Sequence, residues 1–189
     1  MAMDQVRLAE VERLVFTDDG RIPNSRLPVL RYRHVLDGRA DDPAAAFERL
    51  FAAQGWTGSW RNGIFPFHHF HSTTHEALGV VRGWAEVTLG GEQGRTIRLE
   101  PGDVVVIPAG VGHKDERSSA DFLVVGAYPD GREWDICRGE PAEREQAQAN
   151  IARVPIPRTD PVEGDTTNIS VDTPAAEPAA DAPAVSVET

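Results

Sequence analysis

Gly63 to His113 constrains this chain more than any other stretch. It holds five of the six histidines: His68, His69, His71, His75 and His113. An even scatter would put one or two there. The first part reads GIFPFHHFHSTTHEALGVVRG, residues 63–83, and the second GDVVVIPAGVGH, residues 102–113. Imidazoles concentrated beside a carboxylate, Glu76, are the raw material of a metal site.

The spacing restricts the local backbone. His69 and His71 are two residues apart within a run of aromatics, Phe65, Phe67 and Phe70. On extended backbone, residues i and i+2 face the same way, so two imidazoles can reach one ion. A helix would place them roughly 200° apart, which excludes it here. A turn through Ser72–Thr74 is expected to return Glu76 to the same face. His113 follows the turn Pro108–Gly112, and Asp103–Ile107 before it reads as a short buried strand of β-branched residues. Three neutral imidazoles and one carboxylate suit a divalent transition metal (Fe, Mn, Ni, Co or Zn) at roughly 2.0–2.2 Å. By parity His68 points away from His69 and His71. His75 is open between replacing Glu76 as a ligand and hydrogen-bonding beside it. His34, in an apolar–polar alternation, is expected to be an ordinary strand residue.

These residues resemble the two motifs of the cupin superfamily. Gly63, His69, His71, Glu76 and Gly83 fall at the spacing of the first. Gly102, Pro108, Gly110 and His113 fall at the spacing of the second, with Arg117 where the family pattern has Asn. The resemblance implies an all-β, single-domain cupin jelly roll (a double-stranded β-helix) with a few peripheral α-helices. It also implies a metal held by His69, His71, Glu76 and His113, a small-molecule substrate or ligand, and a homodimer. Within the superfamily the chain is most similar to the YjlB-type bacterial cupins. That likeness is carried by HSTTHEALGV, by VVGAYPDG (residues 124–131), and by NIARVPIP and DPVEG (residues 150–164). The expected activity is metal-dependent oxidation of a small metabolite such as an organic acid, of dioxygenase type. A non-catalytic metal- or small-molecule-binding module and a cupin-type isomerase are the alternatives.

The rest of the chain supports one domain. Asp42 is a good N-cap, Pro43 suits the first helical position and Gly55 can end the helix. Ala46, Phe47, Leu50 and Phe51 form its apolar face. Val11–Thr17 and Val29–His34 read as strands, the second half-buried. Leu78–Arg82, Trp84–Leu89, Thr96–Leu99 and Phe122–Ala127 read as further strands separated by glycine-rich turns. Glu140–Ala152 is expected to be an outer helix. Trp56 and Trp60 are expected in the core or lining the pocket, and Arg82, Arg98 and Glu116 on the surface.

Residues 1–158 form the expected cupin domain. Residues 159–189, rich in Pro, Ala, Thr, Asp and Glu, form an expected loose acidic tail, disordered from Thr166 onward. Seven acidic and no basic residues in that tail supply seven of the net −11, leaving −4 on the domain. Such a balance argues against nucleic acid, which needs clustered cations. The opening MAMDQVRLAEVERL has no basic-then-apolar leader pattern, and no apolar run approaches the ~20 residues of a membrane span, so a cytoplasmic protein is expected. Cys137 is the only cysteine. It cannot form an internal disulfide and is expected to be a small buried hydrophobe rather than a nucleophile.

Overall fold

A computed structural model describes residues 10–37, 40–166 and 168–169. Nine strands and two helices follow in the order β1 (Val11–Phe16), β2 (Ser25–Tyr32), α1 (Pro43–Ala53), β3 (Trp56–Asn62), β4 (Glu76–Arg82), β5 (Ala85–Leu89), β6 (Arg95–Leu99), β7 (Val104–Ile107), β8 (His113–Ser118), β9 (Leu123–Pro129) and α2 (Arg144–Ile151). Six strands form one sheet in the order β1-β2-β7-β4-β9-β3, and three form a second, β6-β5-β8. Every pairing among these strands is antiparallel. This is the jelly roll expected from the sequence.

The larger sheet is covered on both faces. Leu78, Val80, Val105, Ile107 and Val124 point inward and pack against Val87, Leu89, Ile97 and Leu99 of the smaller sheet. Ala77, Val104, Val106, Val125 and Ala127 point outward and pack under Phe47 and Phe51 of α1 and under Trp56. Double coverage explains why VVVI of β7 is a continuous apolar run and not an alternation. It also corrects the half-buried reading of β2, in which Leu27 to Tyr32 are all buried. Arg31 within that run is held by Asp103 at 3.3 Å and by the Arg98 carbonyl. The strand ends at Tyr32. His34 is exposed at positive φ in the turn that follows, its N–H donating to Asp103 at 3.2 Å, and is not a strand residue.

Helix α1 follows the sequence signals. The Asp42 side chain accepts from the Ala45 N–H at 3.0 Å, Pro43 opens the helix, and Gly55 sits just past its end at φ 77°. It lies close on the sheet because β4 carries Gly79 beneath it. Helix α2 begins at Arg144, later than expected, because residues 140–143 form turns instead. It buries only Ala147. Two strands, β3 and β8, were not expected. WTGSWRN forms β3, which pairs with β9 around an irregularity between Thr57 and Trp60. HKDERS forms β8, the edge partner of β5. Arg117 falls within β8, reaching Glu86 at 2.8 Å and lying over the Trp84 ring.

The packed body continues beyond residue 158. The Trp56 indole donates to the Thr159 carbonyl at 2.9 Å, and the Tyr32 hydroxyl donates to the fully buried Asp160 at 2.6 Å. Val162 and Ile169 are buried in the outer core. Residues 159–166 therefore lie on the sheet and are not loose. The disorder expected for Thr166–Thr189 falls, from residue 170 on, outside the described residues. Among the described residues no helix is long and apolar enough to cross a membrane.

A Cβ on Gly79 would lie 2.6 Å from the buried Phe47 ring. Gly79→Ala is expected to lower the unfolding free energy by about 1–3 kcal/mol through overpacking. Chemical denaturation will show this as a lower midpoint with an unchanged slope.

Candidate metal centre

The four predicted ligands meet at one end of the barrel. Glu76 is the first residue of β4 and sits opposite Ile107 of β7. His113 is the first residue of β8. His69 and His71 lie outside the named strands, and His69 pairs with His113 as an isolated bridge. Their two backbones exchange hydrogen bonds at 3.2 and 2.9 Å, which places both side chains on one face. The Gly110 N–H donates to the His71 carbonyl at 2.8 Å. Gly110 has φ 93°, and a Cβ there would lie 2.4 Å from the Asn24 carbonyl oxygen, so only glycine fits this turn.

Nitrogen atoms of His69, His71 and His113 lie within 4.8 Å of one another, and all three residues are buried. Glu76 Oε2 is 3.3 Å from His71 Nε2 and 3.4 Å from His113 Nε2. Each ring is oriented by its other nitrogen. His69 Nδ1 meets the Phe67 carbonyl at 3.1 Å, and His113 Nδ1 meets the Val111 carbonyl at 3.2 Å. His71 Nδ1 meets the Asp135 carbonyl. A carbonyl oxygen only accepts, so each Nδ1 carries a proton, and in the neutral ring Nε2 is then the nitrogen open to an ion. Three such nitrogens beside a carboxylate oxygen make a donor set suited to a divalent transition ion.

The electrostatics agree with a cation seat. Burial drives the His69 pKa down to about 3, helped by the His113 ring, so His69 is neutral at pH 7. Burial also pulls on His71, but the Glu76 carboxylate and the Asp135 carbonyl outweigh it and hold the imidazole above its ordinary value. Burial would raise Glu76, yet His71 and His113 keep its carboxyl well below the usual range. A cation seated here would take over the work of the His71 proton.

Three further side chains, Tyr128, Trp60 and Asp135, support the four. Tyr128 of β9 donates to Glu76 Oε1 at 3.1 Å and accepts from the Trp60 indole at 2.7 Å. Burial, then the Glu76 charge, raises its pKa, so it remains a phenol and a donor. This leaves Glu76 Oε2 as the oxygen facing the histidines. The Trp60 ring lies against Gly126, where a Cβ would sit 2.2 Å from it. Asp135 secures the loop that carries His71. It accepts from the Ser72 N–H at 2.6 Å, from the Thr73 N–H at 3.3 Å and from the Ser72 hydroxyl.

His75 is resolved by the fold. Its side chain is spent elsewhere: Nδ1 accepts from the Ala109 N–H at 2.9 Å and Nε2 donates to the Pro155 carbonyl at 3.0 Å. Both nitrogens are used, and burial lowers its pKa to about 4. His68 is half-buried and lies apart from the three grouped rings. Trp56 is core, whereas Trp60 lines the cavity. Cys137 is buried against Asp135; burial, then that carboxylate, pushes its thiol up to about 12. Arg82 and Arg98 are exposed, and Glu116 pairs with Lys114 at the surface.

Above the four residues is a cavity of about 350 Å³. Its walls include Trp60, Ile64, Phe65, Leu78, Tyr128 and Trp134.

Comparison with known proteins agrees with this architecture. Residues 61–125 match the cupin domain family model. The chain belongs to the cupin superfamily. Within it, the chain is 46% identical over 156 residues to the uncharacterized protein YjlB of Bacillus subtilis (strain 168), covering 82% of this chain and 92% of that one. It is of the YjlB type. Similar solved structures include an acireductone dioxygenase from Bacillus anthracis with a cadmium ion in its active centre. That match has 19% identity, covers 45% of this chain and 58% of the other, and has a TM-score of 0.33. A DUF861 family protein from Thermotoga maritima is 24% identical, covering 47% of this chain and 92% of its own, with a TM-score of 0.30. A mutant of Bacillus subtilis oxalate decarboxylase matches at 19% identity over 59% of this chain and 28% of its own, with a TM-score of 0.34.

Two substitutions separate support from ligation. Asp135→Ala removes the acceptor of the Ser72 and Thr73 N–H groups, both their hydroxyls and the Cys137 thiol, and is expected to cost about 1–3 kcal/mol in a denaturant titration. His75→Phe strands the Ala109 N–H and is expected to cost a similar ~1–3 kcal/mol, with metal stoichiometry by elemental analysis unchanged.

Proposed function

We propose that this protein is a metal-dependent enzyme acting on a small organic molecule, with His69, His71, His113 and Glu76 holding one divalent transition ion. The observation that carries the reading is the common orientation of the three rings. Each has its Nδ1 engaged by a backbone carbonyl, which leaves Nε2 as the nitrogen each neutral ring can offer to an ion, with the Glu76 carboxylate alongside. A protein with no use for an ion has little reason to bury three imidazoles in that attitude, because buried polar groups are costly unless paired. The cavity over them supplies room for a ligand.

Bound at these residues, the ion would supply Lewis acidity and, if it is iron or manganese, electron exchange suited to dioxygenase-type oxidation. The chain's own groups do the rest. The imidazoles and Glu76 set the charge of the seat. Tyr128 holds Glu76 by one oxygen and leaves the other turned toward the histidines. Trp60, Ile64, Leu78 and Trp134 keep water from the reacting end of a bound molecule.

Elemental analysis of the purified, reconstituted chain is expected to find close to one transition ion per chain, and His71→Ala to lose it. O2 uptake is then measured across a panel of small metabolites. Metal content below about a tenth of an equivalent after reconstitution would count decisively against the reading, given how tightly such donor sets hold divalent ions. Undiminished turnover by metal-free His71→Ala would do the same for the catalytic role.

A further inference from the structure

The cavity wall is chemically one-sided. Among the described residues Arg61 is the only Lys or Arg lining it, and its guanidinium is already paired with Glu48 through two hydrogen bonds of 2.7 and 2.8 Å. The Tyr128 hydroxyl already donates to Glu76 and accepts from Trp60. The Asn62 side-chain oxygen accepts from the Gly63 N–H at 2.8 Å. A dicarboxylate would find no free counter-charge away from the ion seat. A polyhydroxylated sugar would leave most of its hydroxyls unpaired, which is costly in a dry pocket.

Flat apolar surface is what the wall offers. Among the described residues the two most exposed aromatic rings are Phe65, 44% exposed, and Trp134, 47% exposed, and both line this cavity. Each stands beside a different histidine. Phe65 is edge-on to His69, with centroids 5.1 Å apart, and Trp134 is inclined at 66° to His71, with centroids 5.7 Å apart. Trp134 runs nearly parallel to Tyr128, and Phe65 nearly parallel to Phe67. Exposed aromatic faces rimming a concave site next to polar donors are the usual recognition surface for another ring.

We infer that the site takes a small planar aromatic molecule bearing adjacent oxygen donors, its ring against Trp134, Phe65 and Trp60 and its oxygens turned toward the histidines. The placement of the oxygens rests on the metal reading above; the choice of a ring rests on the wall alone. The cavity, about 350 Å³, is at the small end of the ~300–1,000 Å³ typical of ligand pockets, which fits one or two fused rings.

The test uses the full chain, metal-free and metal-loaded, titrated with 4-nitrocatechol and followed by probe absorbance and tryptophan fluorescence. Succinate and glucose serve as competitors. The expected result is binding by both forms, tighter when metal is present, with neither competitor displacing the probe. Trp134→Ala is expected to weaken binding by about tenfold, the scale of one lost aromatic contact. Trp134→Phe is expected to restore most of it. Both variants change an exposed residue, and circular dichroism verifies their fold. The inference is overturned if neither form binds 4-nitrocatechol, if succinate or glucose displaces it, or if Trp134→Ala and Phe65→Ala both keep full affinity. Ring binding that persists and stays sensitive to Trp134→Ala in a protein that takes up no metal would uphold the ring inference and sink the metal reading. A metal-loaded protein that prefers succinate would do the reverse.

Discussion

Three imidazole N–H groups, each donating to a backbone carbonyl in a nearly dry interior, set the character of this molecule. The carbonyls belong to Phe67, Val111 and Asp135, in three separate segments. Each bond fixes a tautomer and a ring plane at once, because the acceptor has no proton to give. The orientation of the donor set is thus written into the main chain. Tyr128 does for the carboxylate what the carbonyls do for the rings, engaging one oxygen of Glu76 and leaving the other toward the histidines.

The sheets make this arrangement sustainable. Glu76 lies at the start of a strand whose next inward residues are Leu78 and Val80, so the charged end of β4 sits over an apolar floor. The opposite face of the same sheet is closed by α1 and by Val162 and Ile169. Two glycines allow the close approaches. Gly79 admits the Phe47 ring on the outer face, and Gly126 admits the Trp60 ring on the inner one. The second contact sets where the cavity wall stands, and through the indole N–H it also holds Tyr128. Packing and site geometry are in this way consequences of the same missing side chains.

Much of this was legible from the chain alone. The cap at Asp42, the proline after it and the glycine at position 55 carry local physics that tertiary context did not override. The strands β4, β5, β6, β7 and β9 are short apolar or alternating segments bounded by turns, and they are readable within a residue or two. Strands β3 and β8 are not. Thr57, Gly58 and Ser59 are exposed turn formers, and Lys114 to Ser118 is a charged run; each becomes a strand only because β9 or β5 offers it a ladder. Segment 159–169 reads as solvated by composition, yet Asp160 is paired with a buried tyrosine and Val162 is packed. Composition averages over such single anchors and hides them.

The division at the site has the same origin. Residue type and spacing, together with the likeness to the two cupin motifs, single out His69, His71, Glu76 and His113 as a candidate set and leave His75 open against Glu76. Tertiary structure alone decided that His75 faces Ala109 and Pro155, that Asp135 secures the His71 loop, and that Tyr128, Trp60 and Trp134 complete the cavity. Those partners are distant along the chain from what they touch. Periodicity reports which way a side chain points along its own strand, but what waits there depends on which distant strand the sheet brings alongside.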